Sequence, residues 1–354
     1  MGGHSQHTVV TGVGLAIPGL THPDELLGAV REGGFDPATG LTGRDLRHKD
    51  RASRLALRAA EPALRAAGVW DGAELRVPRD EIAVIVSSNL GILDNVCAFT
   101  DIIAEKTVTG LSPLGLPQTS SNVIAGSVAM RFGLRGPNIT LCNGATSGLD
   151  ALYWARNLLA VGRARVVLVV GVEPSGPAVT RLLGTESVDG AAGVVLESAD
   201  RAAARGVRPL ATVAGCARAG DLSTAVSSAS AEAAGAAADG ASSAGPVTLW
   251  LTGADHAGHP DTPAVPQGAD VTIRDLETQL GPCSGALGVF QCAAAAARLD
   301  PDGSAPGGTA DGGAVLATAG DPKADAVAAV LFTPPPTGPT APRKRESTAA
   351  AAAS

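Results

Sequence analysis

The sequence predicts a layered α/β protein in which helices cover both faces of a mostly parallel sheet. Near-continuous runs of Val, Ile and Leu, such as residues 81–88 and 165–171, are typical of parallel strands buried on both faces. Helical patterns separate these runs, as expected for β–α–β units. Aromatic residues make up only 3% of the chain, so the core has to be built from Ala, Val, Leu and Gly, which let helices and sheets approach closely.

Composition and charge exclude several classes of protein. The 354 residues are 45% hydrophobic and only 17% charged, which is enough apolar material for a large core and too much for general disorder. A net charge of −7 lacks the positive balance that nucleic-acid binding requires. No apolar stretch reaches 18 residues and residues 1–8 are polar, so we expect a cytoplasmic protein without a membrane segment.

Cysteine and histidine spacing add a further exclusion. The five cysteines contain no CxxC pair, and their odd number does not fit a disulfide framework. His256 and His259 form a His-x-x-His pair that could bind a metal ion, but no Cys or Glu stands at a companion spacing, and the alternative is an ordinary surface loop. We therefore expect neither a metal site nor a cofactor.

The first half of the chain alternates strand and helix patterns. Its elements are predicted from apolar runs, helical spacing and glycine turns. In order they are a strand at 7–14, a helix at 23–32, an amphipathic helix at 51–68, a strand at 81–88, a strand at 138–142, a helix at 147–161 and a strand at 165–171. Pro62 lies within the 51–68 pattern and either kinks that helix or breaks it.

A second half begins near Pro209. There the sequence PLATVAGCARAG repeats the pattern of the opening TVVTGVGLAIPG, a short apolar strand that closes on glycine. A strand at 247–252, a helix at 285–299 and a strand at 326–332 follow, so we predict a duplicated α/β unit. The Ser/Ala/Gly-rich run at 227–244 is either a flexible hinge or a helix of small residues.

These elements divide the chain into three predicted parts. They are an N-terminal half at 1–205, a C-terminal half at 206–332 and a disordered tail at 333–354. The tail assignment depends on its composition, because TPPPTGPTAPRKREST precedes a run of Ala.

The most specific motif lies at residues 112–152, SPLGLPQTSSNVIAGSVAMRFGLRGPNITLCNGATSGLDAL. Its pattern is loop, helix, GLRGPN turn, strand, a small-residue elbow (143–147) and helix. Together with VVTGVG, RASRLALRAA and VVLVVGVEP in the same order, it resembles the β-ketoacyl synthases of the thiolase superfamily. The resemblance implies an α/β thiolase fold, with duplicated βαβαβ halves in a five-layer αβαβα arrangement.

The elbow departs from the pattern of an active condensing enzyme. The family places a nucleophilic Cys there, at a helix N-terminus that lowers the thiol pKa. In this chain Ala145 occupies that position, and alanine cannot form a thioester. Cys142, three residues earlier, is either a displaced nucleophile or a buried apolar residue.

Three further catalytic positions are also replaced. Resemblance to the family places two His and one Lys in later loops, where this chain has Asp255, Pro282 and Glu277 respectively. A carboxylate at the first His position would repel an enolate instead of stabilising it. Residues 317–323 (ATAGDPK) stand where the family has a Gly-rich gate loop. With four catalytic positions degenerate, we expect that the chain by itself does not run the condensation.

A ketosynthase-like chain without catalytic groups is similar to the chain-length factors of bacterial type II polyketide synthases. That resemblance implies a heterodimer with a catalytic ketosynthase subunit, an acyl carrier protein as a further partner, and a polyketide chain elongated in a shared acyl tunnel. The family pairs through the strand before the elbow. The matching residues here are Asn138, Ile139, Thr140, Leu141 and Cys142.

The resemblance also implies a helix that lines the shared tunnel. In this chain the corresponding residues are Leu93, Val96 and Thr100, at the spacing i, i+3, i+7 that places them on one helical face. Ordinary core packing is the alternative. Because all three are aliphatic or small, the implied tunnel suits a highly reduced or polyene chain.

Two other functions stay open at this stage. One is a variant thiolase-superfamily enzyme, a decarboxylase or acyltransferase that uses the altered residues. The other is a stand-alone acyl-binding or scaffold protein. A partner subunit should form a stable 1:1 complex with a Cys-bearing homologue, whereas a variant enzyme should take up an acyl group on its own.

Overall fold

Strands in two groups of five form the framework of the described structure. A computed structural model describes residues 7–28, 35–39, 49–238, 245–253, 267–303, 313–321 and 326–336, together with Leu41, Gly43 and Leu46. The strands are β1 (Thr8–Ala16), β2 (Ile82–Ser87), β3 (Asn138–Leu141), β4 (Val166–Glu173), β5 (Gly190–Ser198), β6 (Ala211–Ala219), β7 (Val247–Thr252), β8 (Gln267–Asp275), β9 (Ala314–Asp321) and β10 (Ala326–Thr333).

Helices connect these strands. They are α1 (Arg51–Ala66), α2 (Leu93–Lys106), α3 (Val123–Phe132), α4 (Ser147–Ala160), α5 (Pro177–Leu183), α6 (Ala199–Ala204), α7 (Leu222–Ala238), α8 (Glu277–Leu280) and α9 (Leu287–Leu299). Short 3-10 turns precede the two helices that follow degenerate catalytic positions, Gly144–Thr146 before α4 and Ser284–Ala286 before α9.

The order of the strands is the same in both halves. Across the sheet the first half runs β3-β2-β4-β5-β1, and the second half continues as β6-β10-β9-β7-β8. Read from the outer edge inwards, β8, β7, β9, β10 and β6 correspond to β3, β2, β4, β5 and β1. In the first half β2 is parallel to β3 and β4, while β5 is antiparallel to β4 and β1. In the second half β7 is parallel to β8 and β9, while β10 is antiparallel to β9 and β6. The predicted α/β thiolase fold with duplicated halves is therefore confirmed.

The layers follow from which helices share a core with which strands. Helices α4 and α9 pack in the middle, in one core with residues of both halves, including Val169 and Val330. Helices α1 and α3 cover the outer face of the first half, and α7 covers the outer face of the second. Both central helices begin next to segments where the resemblance expects catalytic residues, so the most buried layer of the fold positions the candidate site.

The central helices approach each other at two glycines. A Cβ on Gly148 would lie 2.6 Å from the backbone nitrogen of Gly288, and a Cβ on Gly288 would lie 2.3 Å from the nitrogen of Leu149. No larger residue fits either position without moving a helix. This close contact explains why the small-residue composition of the chain is needed in the middle layer.

Several predicted elements need correction. Residues 23–32 were expected to form a helix, but the described part contains only the 3-10 helix Pro23–Leu27. Pro62 does not break α1, which runs through it to Ala66. The helical alternative for 227–244 is confirmed by α7 as far as Ala238, and residues 239–244 lie outside the described part.

Two corrections concern the end of the chain. Of residues 317–323, where a gate loop was expected to be replaced, Ala317–Asp321 belong to β9 and pair with β10, and 322–323 lie outside the described residues. The predicted tail at 333–354 begins inside the fold, since Thr333 is the last residue of β10 and is buried. The sequence pattern does not identify β5 and β9, which contain many small residues, or β8, which lies at an edge of the sheet.

Candidate functional site: a degenerate ketosynthase elbow

The candidate site lies at the carboxyl ends of the parallel strands β2, β3 and β4. Ligand sites of α/β folds are found at this edge, because the connecting loops converge there. The elbow follows β3, residues 88–92 follow β2, and Glu173 ends β4. The 3-10 turn Ser284–Ala286 arrives from the second half, where the Gly285 carbonyl accepts a hydrogen bond from the Ser87 hydroxyl.

Ala145 lies at the middle of the elbow, one turn before the buried start of α4. Its side chain is half-buried and its methyl group has no nucleophilic or acid–base chemistry. The Ser147 hydroxyl donates to the Gly144 carbonyl at 2.8 Å and accepts from the Asn143 N–H at 2.6 Å, so it is held inside the turn. Ala145 therefore supplies no nucleophile at the position where the resemblance expects one.

Cys142 is exposed, so the interpretation of this residue as a buried apolar Cys is wrong. The reason is its place at the end of an edge strand, where one side has no neighbour. Atoms around the sulfur still desolvate it, and together with the negative charge of Glu173 they raise the pKa of the Cys142 thiol above its ordinary value. A raised pKa lowers the thiolate fraction, which is the opposite of what an activated nucleophile needs.

The side chain of Asn89 hydrogen-bonds both backbone groups of Gly144 in the elbow. Its Oδ1 accepts from the Gly144 N–H at 3.2 Å and lies 3.1 Å from the Ser147 hydroxyl oxygen. Its Nδ2 donates to the Gly144 carbonyl at 2.9 Å and to the Ser284 Oγ at 2.9 Å. An oxyanion site needs free backbone donors aimed at the substrate. Here the Gly144 donor is already used within the protein.

Glu173 connects the loops around the site. Its Oε1 accepts from the Asn89 N–H at 2.6 Å and the Gly285 N–H at 3.0 Å, and its Oε2 from the Leu90 N–H at 3.0 Å and the Ser88 hydroxyl at 3.3 Å. The residue is fully buried. Burial raises the pKa of Glu173 to about 7, and the four hydrogen bonds, which favour the charged carboxylate, oppose that rise.

The sequence pattern does not identify Asn89 or Glu173 as site residues. The one available indication was an acidic residue closing the apolar run VVLVVGVE, since a charged side chain next to a fully buried strand needs partners. Its partners come from segments more than 80 residues away in the sequence, and spacing alone cannot reveal them.

The second degenerate loop is held in place by structural hydrogen bonds. The Glu277 carboxylate accepts from the Cys283 N–H at 2.7 Å, and the Pro282 carbonyl accepts from the Val188 N–H at 3.0 Å. Cys283 is buried, as a packing residue would be. The structure thus brings Glu277 and Pro282 to the loop beside the elbow, whereas Asp255, His256 and His259 lie outside the described residues.

The helix expected to line a tunnel is α2, which carries Leu93, Val96 and Thr100 as its first, fourth and eighth residues. None of its residues is fully buried, Leu93 is half-buried, and Val96 and Thr100 are exposed. Ordinary core packing within this chain is therefore excluded for Val96 and Thr100. The tunnel-lining role of the three residues stays a prediction.

The strand expected at a subunit interface, β3, is an edge of the sheet. Within the described residues it pairs only with β2, and Ile139 and Thr140 are half-buried. The Thr140 hydroxyl is enclosed without a hydrogen-bond partner in the described part of the chain. An edge strand with unused backbone groups is able to pair with another chain.

Two features are absent from the described residues. They contain no group of three or more His, Cys, Asp or Glu side chains that could hold a metal ion. None of the helices in the same residues combines the length and the apolar character needed to cross a bilayer.

Comparisons with known proteins agree with this geometry. The family model for the β-ketoacyl synthase N-terminal domain matches residues 28–192. The 3-oxoacyl-[acyl-carrier-protein] synthase 2 of Vibrio cholerae is 29% identical over 214 residues, which cover 53% of this chain and 51% of that protein. The chain spans about half the length of the curated relatives it matches.

Solved structures match over more of the chain. The structure described as the ishigamide ketosynthase/chain length factor is 27% identical, covers 92% of this chain and 99% of its own, and superposes with a TM-score of 0.71. A type II polyketide synthase ketosynthase in complex with its acyl-carrier protein, AntDE:AntF, has a TM-score of 0.66 at 17% identity, covers 93% and 99%, and shares the fold alone.

Residues 28–192 thus match the β-ketoacyl synthase N-terminal domain, and the described residues have the thiolase fold. Within that class, the chain is similar to a protein solved as a ketosynthase/chain length factor.

Proposed function

We propose that this chain is a non-catalytic chain-length factor, which pairs with an active ketosynthase and shapes the tunnel in which a polyketide chain grows. The observation that carries the proposal is Ala145 at the elbow, where an active relative would hold its nucleophilic Cys. The nearest thiol, Cys142, has a raised pKa. In addition, Asn89 uses the polar groups of the turn.

The edge strand β3 supports a paired state. Residues Asn138, Ile139, Thr140, Leu141 and Cys142 form or adjoin a strand with one unused edge, and Cys142 is exposed at its end. Pairing β3 with the same strand of a ketosynthase would extend the sheet across the two subunits and cover these residues.

The exposed helix α2 supports a shared cavity. A helix with no fully buried residue leaves apolar groups such as Val96 and Ile103 facing solvent, with exposed fractions of 37% and 43%. A partner subunit would cover them. Leu93, Val96 and Thr100 would then face a tunnel wide and apolar enough for a reduced or polyene chain, which an acyl carrier protein delivers to the catalytic subunit.

A variant thiolase enzyme is the second candidate, and the exposed thiol of Cys142 favours it. If this sulfur or another group carried out a decarboxylation or acyl transfer, the isolated chain would be acylated by an acyl thioester. The raised pKa of Cys142 opposes such chemistry at neutral pH.

Co-expression with Cys-bearing ketosynthases encoded near this chain tests the proposal. The expected result is a stable 1:1 complex by native mass spectrometry, and a polyketide product only when both subunits are present. Intact-mass analysis of the isolated chain with acyl-carrier thioesters should show no covalent adduct. Acylation of the isolated chain, or product formation without a partner, would overturn the proposal in favour of the variant enzyme.

A matched pair of variants localises the interface. Ile139→Asp places a charge on the half-buried centre of β3, whereas Ile273→Asp places one on the exposed centre of β8 at the other edge of the sheet. The complex should be lost with Ile139→Asp and kept with Ile273→Asp. The reverse result would show that β8, not β3, is the pairing strand.

A further inference from the structure

Apolar burial explains the position of α2 only in part. A helix is normally held by an apolar stripe against a core. The residues Leu93–Lys106 include no fully buried side chain. Half-buried apolar side chains such as Phe99 give only partial burial, so polar bonds at the start of the helix contribute to holding it.

The start of α2 is bonded to β4 through Glu173. The backbone N–H groups of Asn89 and Leu90, just before the helix, donate to the two oxygens of the same carboxylate. Glu173 itself is fully buried at the end of a strand whose residues are all buried. A rigid strand thus fixes the point from which α2 begins.

Two further hydrogen bonds hold the first turn of α2. The Asp94 Oδ1 accepts from the Ala178 N–H at 2.7 Å, in the first turn of α5. A Cβ on Gly176 would lie 2.0 Å from the Asp94 Oδ2, so only glycine lets the carboxylate approach this closely. The other bond runs from the Asn95 Nδ2 to the Gln118 carbonyl at 3.2 Å.

We propose that Glu173 and Asp94 are positioning residues that set the direction of α2, and thereby determine product length without lining the tunnel themselves. This inference rests on the proposed function for its consequence, product length, but its structural part does not. Fixing one helix end and its first turn at two separate points defines an axis. Loss of either point lets Val96 and Thr100, one and two turns further along, change position.

Hydrogen exchange of the full chain tests the structural part. Asp94→Ala removes the acceptor for the Ala178 N–H, and Asp101→Ala, an exposed Asp on the same helix, is the matched control. Asp94→Ala should accelerate amide exchange in 93–106 by about tenfold, as expected for the loss of one charge-assisted hydrogen bond. Exchange in α9 should not change, and Asp101→Ala should match the wild-type chain.

Conservative variants separate anchoring from a general loss of stability. Asp94→Asn keeps an acceptor oxygen and should restore slow exchange. Glu173→Gln keeps only one of two acceptor oxygens and should accelerate exchange in 88–106, while the exposed Glu186→Gln should not. Unchanged exchange of α2 in both Asp94→Ala and Glu173→Gln would overturn the inference, whether or not a complex forms.

Product analysis of the co-expressed complex tests the consequence. With Asp94→Ala, the complex should form and the distribution of product lengths should shift or broaden, while Asp94→Asn should give the wild-type distribution. Faster α2 exchange together with an unchanged distribution in an intact complex would contradict the specificity role. Faster exchange with no complex from the wild-type chain would instead refute the proposed function and leave the anchoring intact.

Discussion

Helices α9 and α2 are nearly equal in length, and they contrast in almost every other respect. In α9, all residues from Leu287 to Ala296 are buried, packed between the two halves of the fold. In α2, no residue is fully buried and polar bonds fix the first turn. The central layer is complete within one chain. The region that includes α2 leaves apolar side chains such as Val96 and Ile103 exposed, which fits the proposal that a partner subunit covers them.

The largest expected effect on stability comes from a substitution where α4 and α9 approach each other closely. Gly288→Ala puts a Cβ 2.3 Å from the Leu149 nitrogen, so the helices must separate. We expect a loss of about 3–5 kcal/mol in the free energy of unfolding, measured by urea denaturation. In the control Gly235→Ala, on α7, the new Cβ meets nothing within 4 Å, and a gain of about 0.5–1 kcal/mol is expected. Equal stability of the two variants would disprove the close packing.

Substituting one phenylalanine in each helix compares how well α9 and α2 are packed. Phe290 of α9 is fully buried, whereas Phe99 of α2 is half-buried. Phe290→Ala should cost about 3–5 kcal/mol, because it leaves a cavity in the central layer. Phe99→Ala should cost less than about 1.5 kcal/mol in the isolated chain. Similar losses for both would mean that α2 is as well packed as the core, and the contrast would be wrong.

The titration of Glu173 makes the free energy of unfolding depend on pH. Burial raises the pKa of Glu173 from 4.5 to about 7, so the folded chain holds this proton more tightly than the unfolded chain. Its contribution to the free energy of unfolding is complete below pH 4.5 and decreases as the pH rises to about 7, by about 3 kcal/mol at most.

The measurement compares wild type with Glu173→Gln between pH 5 and 8. The stability difference between them should change across this range, since the amide does not titrate. The exposed Glu186→Gln serves as the control and should follow the wild-type profile. Parallel profiles for wild type and Glu173→Gln would show that the pKa of Glu173 is not raised.

The strands that the sequence pattern missed share a physical cause. β5 reads GAAGVVLES and β9 reads AVLATAGD, where Ala and Gly dilute the apolar run that identifies a strand. β8 reads QGADVTIRD and is an edge strand with polar residues. By contrast, the Val-rich β2 and β4 lie inside the first half, and their patterns predicted them closely.

The candidate site was predictable only in part for a related reason. The lack of a nucleophile at Ala145 is visible in the sequence once the elbow is found. The polar network is not, because Asn89 and Glu173 act on groups that only the fold brings near, such as the Gly285 N–H from the second half. Long-range hydrogen bonds leave no periodic pattern.

Val96→Trp has the smallest expected effect on stability, and it directly tests whether α2 lines the proposed tunnel. Its side chain is 37% exposed, so Val96→Trp should change the free energy of unfolding of the isolated chain by no more than about 0.5 kcal/mol. In the co-expressed complex the larger ring would fill space in the tunnel, and the products should become shorter by mass analysis.

The matched control for Val96→Trp is Val108→Trp, at an exposed position beyond the end of α2. It changes the surface by the same volume and should leave the products unchanged. If Val96→Trp and Val108→Trp give the same product lengths as wild type, α2 does not face the growing chain. If Val96→Trp destabilises the isolated chain by several kcal/mol, the helix is packed within its own subunit, and the difference between α2 and α9 disappears.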